Sequence, residues 1–545
     1  MITIFQARKV LTMNPSNPTA THVAVRDGRV IGVGSYDDVA GWGEHTLADD
    51  FRDRILLPGF VEGHSHATEG VFWQFTYCGS FARTDPDGLV WPGVKTVEEL
   101  LDHLAQTEAT TRGSGAPLTG WGLDPTHLGC PPIHRSLLDR VSKDRPIGLM
   151  HASVHILNVN SRALELAGLM RRGIDHEGIP LDEEGYPTGE LKGPGAYGPV
   201  APYVGFDATR QLSDPEGLRA FGRLCIRKGV TTATDLANPL PGDTVARMRD
   251  VVDAPDYPVR LVPFCLFQGA AASPFCDRFQ SLEQLSSERL HIAGIKVLLD
   301  GSIQGFSARL RWPGYYNGAP NGLWYTSPQQ LRELLVIALG GNLLLHIHVN
   351  GDEAIDLALD LVEEALHECP RRDHRITLQH CQMADAAQFR RMKALGLSAN
   401  LFVNHLFFWG DQHHATTIGP ERAARLDACA TAVSNGIPLG IHCDAPVTPL
   451  DPLFTAWCAV NRETATGRVL GTEERLSVAE ALQAVTLGAA YTLRLDHEIG
   501  SIECGKRADF AVLDEDPTEA DPTRLNDIAV WGIVQSGRIF PASEA

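Results

Sequence analysis

Eight apolar, β-branched runs along the chain end in polar residues, and helical segments separate many of them. The runs are ILLPGFVEGHSH (55–66), GVTTATDL (229–236), VRLVPFCLF (259–267), IAGIKVLLDGS (292–302), NLLLHIHVNGD (342–352), RITLQHCQ (375–382), GLSANLFVN (396–404) and GIPLGIHCDAPV (436–447). A strand that is apolar along its whole length is buried on both faces, as in a parallel sheet covered by helices. Eight such strands alternating with helices predict an α/β fold, a (β/α)8 barrel of the TIM type, whose functional residues lie at the carboxyl ends of the strands.

Two of the intervening segments, 352–366 and 386–396, show the helical period. In the first, Ala354, Ala358 and Leu361 fall on one stripe, which is typical of a helix that packs on a core. The second ends in a glycine, which suits the residue that closes a helix. We therefore expect a helix in each segment.

Both ends of the chain have the pattern of short strands. HVAVRDGRVIGVGS (22–35) places an Asp-Gly turn between two alternating runs, and IAVWGIVQSGRIF (528–540) repeats this arrangement with a Ser-Gly turn. Such turns between alternating runs indicate hairpins. We expect residues 1–55 and 481–545 to form one small β-sandwich domain around the barrel of residues 56–480; the alternative is two unrelated β edges.

A long stretch, residues 67–228, separates the first two apolar runs. It is far longer than a connection within a barrel, and it contains periodic pieces of its own, TVEELLDHLAQTEA (96–109) and RPIGLMHASVHILNVNSRALELAG (145–168). We expect an inserted α/β subdomain over about 75–225.

Composition excludes several classes of partner. The formal net charge is −20 and no basic block occurs, which argues against nucleic acid and against an anionic membrane. No apolar run reaches the roughly 20 residues needed to span a bilayer, and the first residues lack the pattern of a signal peptide. The eleven cysteines form no CxxC pair, so reduced thiols and a cytoplasmic location are expected.

The polar ends of the apolar runs carry the candidate chemistry. His64 and His66 are two residues apart and therefore point to the same side of a strand. An isolated pair of this kind is as well explained by two polar side chains in a loop. Other runs, however, contain or end in residues of related chemistry: Lys296, His348, His380 and Asp444. Imidazoles and a carboxylate that converge at the mouth of one barrel suit Zn²⁺ and similar divalent ions, and a lysine carbamate presents two oxygens that could bridge two ions.

The segments PGFVEGHSH, KVLLDGS, HVNGDEAI, LQHCQ and HCDAPV resemble the amidohydrolase superfamily, and more narrowly its amidohydrolase 3 branch, which includes enzymes similar to N-substituted formamide deformylase. The resemblance covers nearly the whole chain, including the closing segment GSIECGKRADFAVLD and the insertion after the first strand. These motifs are specific to the superfamily and moderately specific to the branch, but they do not identify a substrate.

The resemblance implies a ligand set and leaves two histidines open. It places His64, His66, Lys296, His348, His380 and Asp444 at metal-ligand positions, with Lys296 at the lysine that is carboxylated in members with two metal ions. One or two divalent ions, zinc first, are implied. Two further histidines, His346 and His442, lie one layer deeper by the period of a strand. They either support the ligands or pack the barrel interior.

The resemblance also implies a mechanism. A metal ion lowers the pKa of a bound water and polarises the scissile carbonyl. Asp444 is expected to accept the proton of the water and to pass it to the leaving nitrogen. The expected reaction is hydrolysis of the C–N bond of a small N-substituted amide.

Substrate contacts are expected from the insertion. Segments 120–129 and 153–164 resemble pocket-lining segments of the branch, and they point to Trp121 and to His155, the latter as a catalytic residue that grips the oxyanion. Glu190 is a further substrate-binding candidate; the alternative is that these residues belong to the fold of the subdomain. The aromatic run at 400–414 suits either an apolar substrate group or the interface of a homodimer.

Two other functions remain open at this point. The first is deamination or isomerisation on the same metal barrel. Ring deaminases often pair the aspartate of strand eight with a glutamate after strand five, but here Glu353 is expected to begin a helix. The second is a non-catalytic barrel protein, which is the less favoured reading because every expected ligand position is filled.

Overall fold

The computed structural model describes residues 1–206 and 211–545. The described chain divides into two compact units, one formed by Met1–His66 and Gly222–Ala545 and the other by Ala67–Phe221. Residues 207–210, which belong to the expected insertion, lie outside the described residues.

All eight apolar runs contribute a strand to one eight-stranded parallel sheet, in which the strands follow one another in chain order. Barrel strands 1 to 8 are Phe60–Glu62, Val230–Asn238, Arg260–Leu266, Gly294–Leu298, Leu344–Val349, Thr377–His380, Ser398–Leu401 and Leu439–Ile441. The sheet closes on itself because Ser65, after barrel strand 1, and Ala445, after barrel strand 8, form a parallel bridge. The predicted TIM-like barrel is confirmed.

The first apolar run is divided between two sheets at Gly59. The strand that ends at Pro58 belongs to the terminal sheet, and only Phe60–Glu62 enters the barrel. A Cβ atom at Gly59 would lie 2.0 Å from Oγ1 of Thr231, on the neighbouring barrel strand. Glycine is therefore required here by the close approach of that side chain.

The two chain ends join in a single seven-stranded sheet. Its strands are Ile2–Leu11, Thr19–Arg26, Arg29–Gly34, His45–Pro58, Phe510–Leu513, Val530–Gln535 and Arg538–Pro541. The long strand His45–Pro58 pairs in parallel with Ile2–Leu11 and antiparallel with Phe510–Leu513, and so joins the two terminal hairpins side by side. The two described ends therefore form one seven-stranded sheet, and the expected β-sandwich arrangement of this sheet stays a prediction.

The helices between residues 478 and 492 belong to the packing of the barrel. Val478–Gln483 is followed by a π-helical turn at Ala484–Gly488 and by the short helix Ala489–Thr492. Ala489 packs in one apolar cluster with residues of several barrel strands, among them Leu344 at the start of barrel strand 5. The packing of the barrel thus extends past the expected boundary at residue 480.

Helices cover the barrel between its strands. Those of eight residues or more are Pro215–Arg227, Thr244–Val252, Ala272–Glu283, Pro328–Gly341, Asp352–Glu368, Ala386–Leu395, Asn404–Gln412 and Pro452–Asn461. Shorter helices of the first unit are Tyr36–Ala40, His413–Thr417, Pro420–Ala423, Cys429–Ser434, Thr472–Glu474, Pro522–Asp527 and Ala542–Glu544. The two helices expected from periodicity are confirmed, and Gly396 closes the second of them in the left-handed region (φ 77°). Among the described residues, no helix is both long enough and apolar enough to cross a membrane.

The second unit contains a five-stranded sheet. In spatial order its strands are Glu190–Lys192, Ile156–Val159, Ile147–His151, Leu118–Leu123 and Thr76–Tyr77, and Arg83–Thr84 and Val90–Trp91 form a separate pair. Its helices are Glu69–Phe72, Val97–Thr111, Arg112–Ser114, Arg135–Leu138, Ser161–Leu166, Pro194–Tyr197 and Ala201–Val204. The unit has apolar clusters of its own, one of which contains Trp121 and Leu157.

Replacing Gly59 with alanine tests the junction between the terminal sheet and the barrel. The added methyl group would overlap the side chain of Thr231, and overpacking of this kind costs about 1–3 kcal/mol. We expect Gly59→Ala to lower the midpoint of thermal unfolding. The control is Gly41→Ala, because a Cβ atom at Gly41 meets nothing within 4 Å. Equal midpoints for the two variants would contradict the close packing at Gly59.

Candidate metal centre

Closure of the barrel brings the first two candidate ligands against the last one. The N–H of His66 donates to the carbonyl of Ala445 (2.8 Å), which aligns the segment after barrel strand 1 with the segment after barrel strand 8. As a result, Oδ1 of Asp444 lies 3.4 Å from Nε2 of His64 and 3.3 Å from Nε2 of His66. The three ligand atoms lie within 4.8 Å of one another, although the residues are about 380 positions apart in the sequence.

His380 and His348 complete the row of imidazoles. Nδ1 of His380 lies 3.7 Å from Oδ2 of Asp444, and its ring centre lies 4.5 Å from that of His64. The ring of His348 is next to that of His380, with the ring centres 4.4 Å apart. Nε2 of His348 is also close to the side-chain amide of Asn350 (3.1 Å), so this histidine lies at the edge of the cluster.

Lys296 is buried inside the same group of side chains. Its Nζ lies 3.5 Å from Nε2 of His64, and none of the residue is exposed. Burial lowers the pKa of Lys296 to about 7, although the charge of Asp444 acts in the opposite direction. The lowered pKa favours the neutral amine, which is the form that reacts with CO2.

The electrostatics of the cluster favour neutral rings and an ionised carboxylate. Burial holds the pKa values of His64 and His380 well below their usual range and lowers the pKa of His442 to about 3. Burial alone would raise the pKa of Asp444, but contact with the ring of His66 and the neighbouring charges hold it below its ordinary value. The site therefore gathers lone pairs and one negative charge.

The donor set fits a divalent metal ion. Among the described residues, no hydrogen-bond partner is found for either ring nitrogen of His380 or of His442, or for Oδ1 of Asp444. Leaving such buried groups unpaired costs about 1–3 kcal/mol each. Nitrogen and oxygen ligands about 2.0–2.2 Å from a tetrahedral Zn²⁺ lie roughly 3.3–3.5 Å apart, close to the separations observed here. A cation between these atoms would satisfy them.

The backbone is strained at two of the candidate ligands. His380 and Asp444 have φ angles of 68° and 55°, in the left-handed region that residues other than glycine seldom adopt. Such conformations cost about 1–3 kcal/mol each and cluster at functional sites, where the surrounding structure maintains them. Here they occur at the ends of barrel strands 6 and 8.

Two supporting residues were not foreseen from the sequence. Oε1 of Glu62 accepts the N–H of His64 (3.1 Å), and its Oε2 accepts the thiol of Cys443 (3.0 Å), so this carboxyl group joins the two ends of the barrel sheet. Burial raises the pKa of Glu62 to about 8. Oε1 of Gln379 forms a hydrogen bond with Nδ1 of His64 (2.7 Å). Their places in the sequence, two residues before His64 and next to His380, are the signals that could have identified them.

The two histidines left open by the sequence have different surroundings. His346 is fully buried, and its ring is hydrogen-bonded on both sides, to Gln379 (2.8 Å) and to the carbonyl of Thr492 (2.9 Å). His442 stacks on His64 (ring centres 4.5 Å apart) and on Phe402 (5.1 Å). One ring nitrogen of His442 lies within 4.8 Å of a ring nitrogen of His64 and of one of His380, so His442 belongs to the cluster itself.

The expected substrate residues all lie in the second unit. Trp121 is buried in strand Leu118–Leu123 with the guanidinium of Arg83 5.0 Å above its ring. Glu190 begins strand Glu190–Lys192 and forms an ion pair with Lys192 (3.3 Å). His155 precedes strand Ile156–Val159, and its carbonyl accepts the N–H of Gly193 (2.7 Å). Their contact with a substrate stays a prediction.

The aromatic run after barrel strand 7 separates into two parts. Phe402 is next to the cluster, with its ring 5.9 Å from that of His380. Phe407 and Phe408 instead pack against Phe454, at 5.1 Å and 6.0 Å. Only the first part lies beside the candidate metal centre.

Comparison with known proteins agrees with this geometry. The model of the amidohydrolase family Amidohydro_3 matches residues 50–541. The chain is 28% identical to the protein LONG AFTER FAR-RED 3 of Arabidopsis thaliana, over 92% of this chain and 85% of that protein. It is 26% identical to the N-substituted formamide deformylase of Arthrobacter pascens, over 96% and 95% of the two chains.

Solved structures share the fold. A metal-dependent hydrolase from Pyrococcus horikoshii superposes with a TM-score of 0.72 at 21% identity, over 96% of this chain and 99% of that one. An adenosine deaminase from Xanthomonas campestris with bound zinc superposes with a TM-score of 0.53 at 13% identity, over 99% and 93%. The match to the family model covers most of the chain. The protein therefore belongs to the amidohydrolase family and is a metal-dependent hydrolytic enzyme that acts on carbon–nitrogen bonds.

Proposed function

We propose that the protein hydrolyses the amide bond of a small N-substituted amide, with N-substituted formamides first among the candidates. The observation that carries this proposal is the buried cluster of imidazoles around an ionised Asp444, in which neither ring nitrogen of His380 finds a hydrogen-bond partner among the described residues. The similarity to N-substituted formamide deformylase over 95% of that enzyme's length supports the choice of substrate class.

His64, His66, His380 and Asp444 would hold the ion, with His348 and Lys296 beside them. Zinc is the proposed metal, because nitrogen and oxygen ligands suit it and because the superposed adenosine deaminase contains zinc. A divalent ion at this position supplies a water of lowered pKa and polarises the carbonyl group of the substrate. If the neutral amine of Lys296 adds CO2, a C–N bond forms and a proton leaves, which gives a carbamate with two oxygens for a second ion.

Asp444 moves the proton. Because its pKa is held below the ordinary value of an aspartate, its carboxylate is ionised and can accept a proton from the attacking water. The same carboxyl group then donates that proton to the nitrogen of the leaving amine, and the C–N bond breaks.

The geometry disfavours deamination. Glu353, the residue that a ring deaminase would use as an acid, is the second residue of helix Asp352–Glu368. One carboxylate oxygen of Glu353 accepts a hydrogen bond from the guanidinium of Arg309 (2.8 Å), and the other accepts one from the side-chain amide of Asn321 (2.8 Å). These contacts hold it against the loop that follows barrel strand 4.

Substitution of one ligand tests the metal centre. His66→Asn removes an imidazole nitrogen that would bind the metal ion. The side chain of His66 is 21% exposed, so the fold should tolerate the change. We expect the metal content of the purified protein, measured by mass spectrometry, to fall at least several-fold. His45→Asn, in the terminal sheet, serves as the control and should keep the wild-type content. An unchanged metal content in His66→Asn would contradict the assignment.

Substitution of Asp444 tests the proton transfer. Asp444→Asn keeps an oxygen toward the ion but cannot accept a proton, so turnover should fall about 10²–10⁴-fold or more while the metal content stays near that of the wild type. Steady-state assays and metal analysis of the same preparation check both points. A variant that keeps its turnover would show that Asp444 is not the base.

A substrate screen separates the two C–N reactions. Aryl and alkyl formamides and acetamides should release a primary amine and a carboxylic acid. Ring amidines, the substrates of deaminases, should release no ammonia above background. Release of ammonia from an amidine, without amine release from any formamide, would favour deamination instead.

A further inference from the structure

We propose that Gln379 and His346 are positioning residues that set the tautomer of His64 from inside the barrel. They do so through a chain of hydrogen bonds that ends on the carbonyl of Thr492. This inference rests on the proposed role of His64 as a metal ligand. It gives a function to His346 and to the short helix Ala489–Thr492, neither of which the proposed reaction uses.

Three hydrogen bonds form the chain. Nδ1 of His64 is 2.7 Å from Oε1 of Gln379, and Nε2 of Gln379 is 2.8 Å from Nδ1 of His346. Nε2 of His346 is 2.9 Å from the carbonyl oxygen of Thr492. The four residues are at most 2% exposed, so water does not compete for these bonds.

The carbonyl end determines the direction of every bond. A carbonyl oxygen only accepts, so Nε2 of His346 carries the hydrogen. The ring of His346 is fully buried and its two hydrogen-bond partners, the amide of Gln379 and the carbonyl of Thr492, carry no charge, so a charged ring is disfavoured and Nδ1 accepts. The NH2 group of Gln379 therefore faces His346, and its oxygen faces Nδ1 of His64, which must donate. A second donor, the side-chain amide of Asn400, reaches the same oxygen (3.0 Å) and confirms this orientation of Gln379.

The consequence appears at the other nitrogen of His64. With the hydrogen on Nδ1, Nε2 carries a lone pair. This nitrogen lies 3.4 Å from Oδ1 of Asp444 and 3.5 Å from Nζ of Lys296. This tautomer presents an acceptor beside an ionised carboxylate, an arrangement that a cation stabilises. The opposite tautomer would require a buried, doubly protonated His346 or an unpaired Thr492 carbonyl. The chain thus excludes the tautomer of His64 that cannot bind a metal ion through Nε2.

The test measures Zn²⁺ affinity by competition with a chromogenic chelator, on the full chain. Gln379→Met removes the hydrogen bonds of the amide to His64 and to His346. His346→Phe removes the hydrogen bond to Gln379 and keeps an aromatic ring at this position. Loss of such supporting hydrogen bonds typically weakens metal binding 10–100-fold, and we expect this range for both variants. Gln379→Glu restores the acceptor for Nδ1 of His64 but not the donor to His346, and should recover part of the affinity lost in Gln379→Met.

A buried control separates positioning from general packing. Ser398→Ala removes another hydrogen bond between barrel strands, the one to Thr377 (2.8 Å), and should leave the Zn²⁺ affinity unchanged. Thermal unfolding in the presence of a chelator verifies that each variant folds, and His346→Phe carries the test if Gln379→Met does not.

Three results would overturn the inference. The first is wild-type affinity in both Gln379→Met and His346→Phe, and the second is an equal loss in Ser398→Ala. The third is no rescue by Gln379→Glu. A wild-type protein that binds no Zn²⁺ would instead overturn the metal centre and the proposed function, which is a different outcome.

Discussion

The closure of the barrel between its first and last strands is the contact on which the candidate site depends. Ser65 and Ala445 meet in a parallel bridge, and that single register places His64 and His66 against Asp444. Glu62 reinforces the closure by accepting hydrogen bonds from both sides. Without the bridge, the ligands from the two ends of the barrel would not share an ion.

The same closure creates an electrostatic problem that a metal ion solves. Several neutral imidazoles and one ionised carboxylate are buried together, and ring nitrogens of His380 and His442 have no partner within the described chain. Strained backbone at His380 and Asp444 adds to the cost. A cofactor that satisfies these atoms at once explains why the fold maintains an arrangement that is unfavourable for the protein alone.

Hydrophobic patterning predicted the barrel because each of its strands is buried on both faces. The polar residue at the end of each run pointed in the same way to His380 and Asp444 as candidate ligands, and the structure brings both into one cluster. Other features depend on contacts between distant parts of the chain, which periodicity does not contain. The division of the first run at Gly59 depends on Thr231, and the single terminal sheet depends on the pairing of one long strand with both hairpins.

The supporting residues were missed for a related reason. Gln379 and Glu62 are ordinary polar residues in the sequence, and their role arises only from partners on other strands. The residues of the second unit, Trp121, His155 and Glu190, occupy defined positions in its sheet or next to it, and their part in substrate choice is a matter for experiment.

Anomalous X-ray diffraction at the zinc edge from crystals of the zinc-loaded protein tests the central claim most directly. A zinc ion held by the cluster gives an anomalous peak bonded to Nε2 of His64, Nε2 of His66 and a carboxylate oxygen of Asp444 at about 2.0–2.2 Å. A crystal in which these three side chains only contact one another, with the bound zinc at another place on the protein, would contradict it.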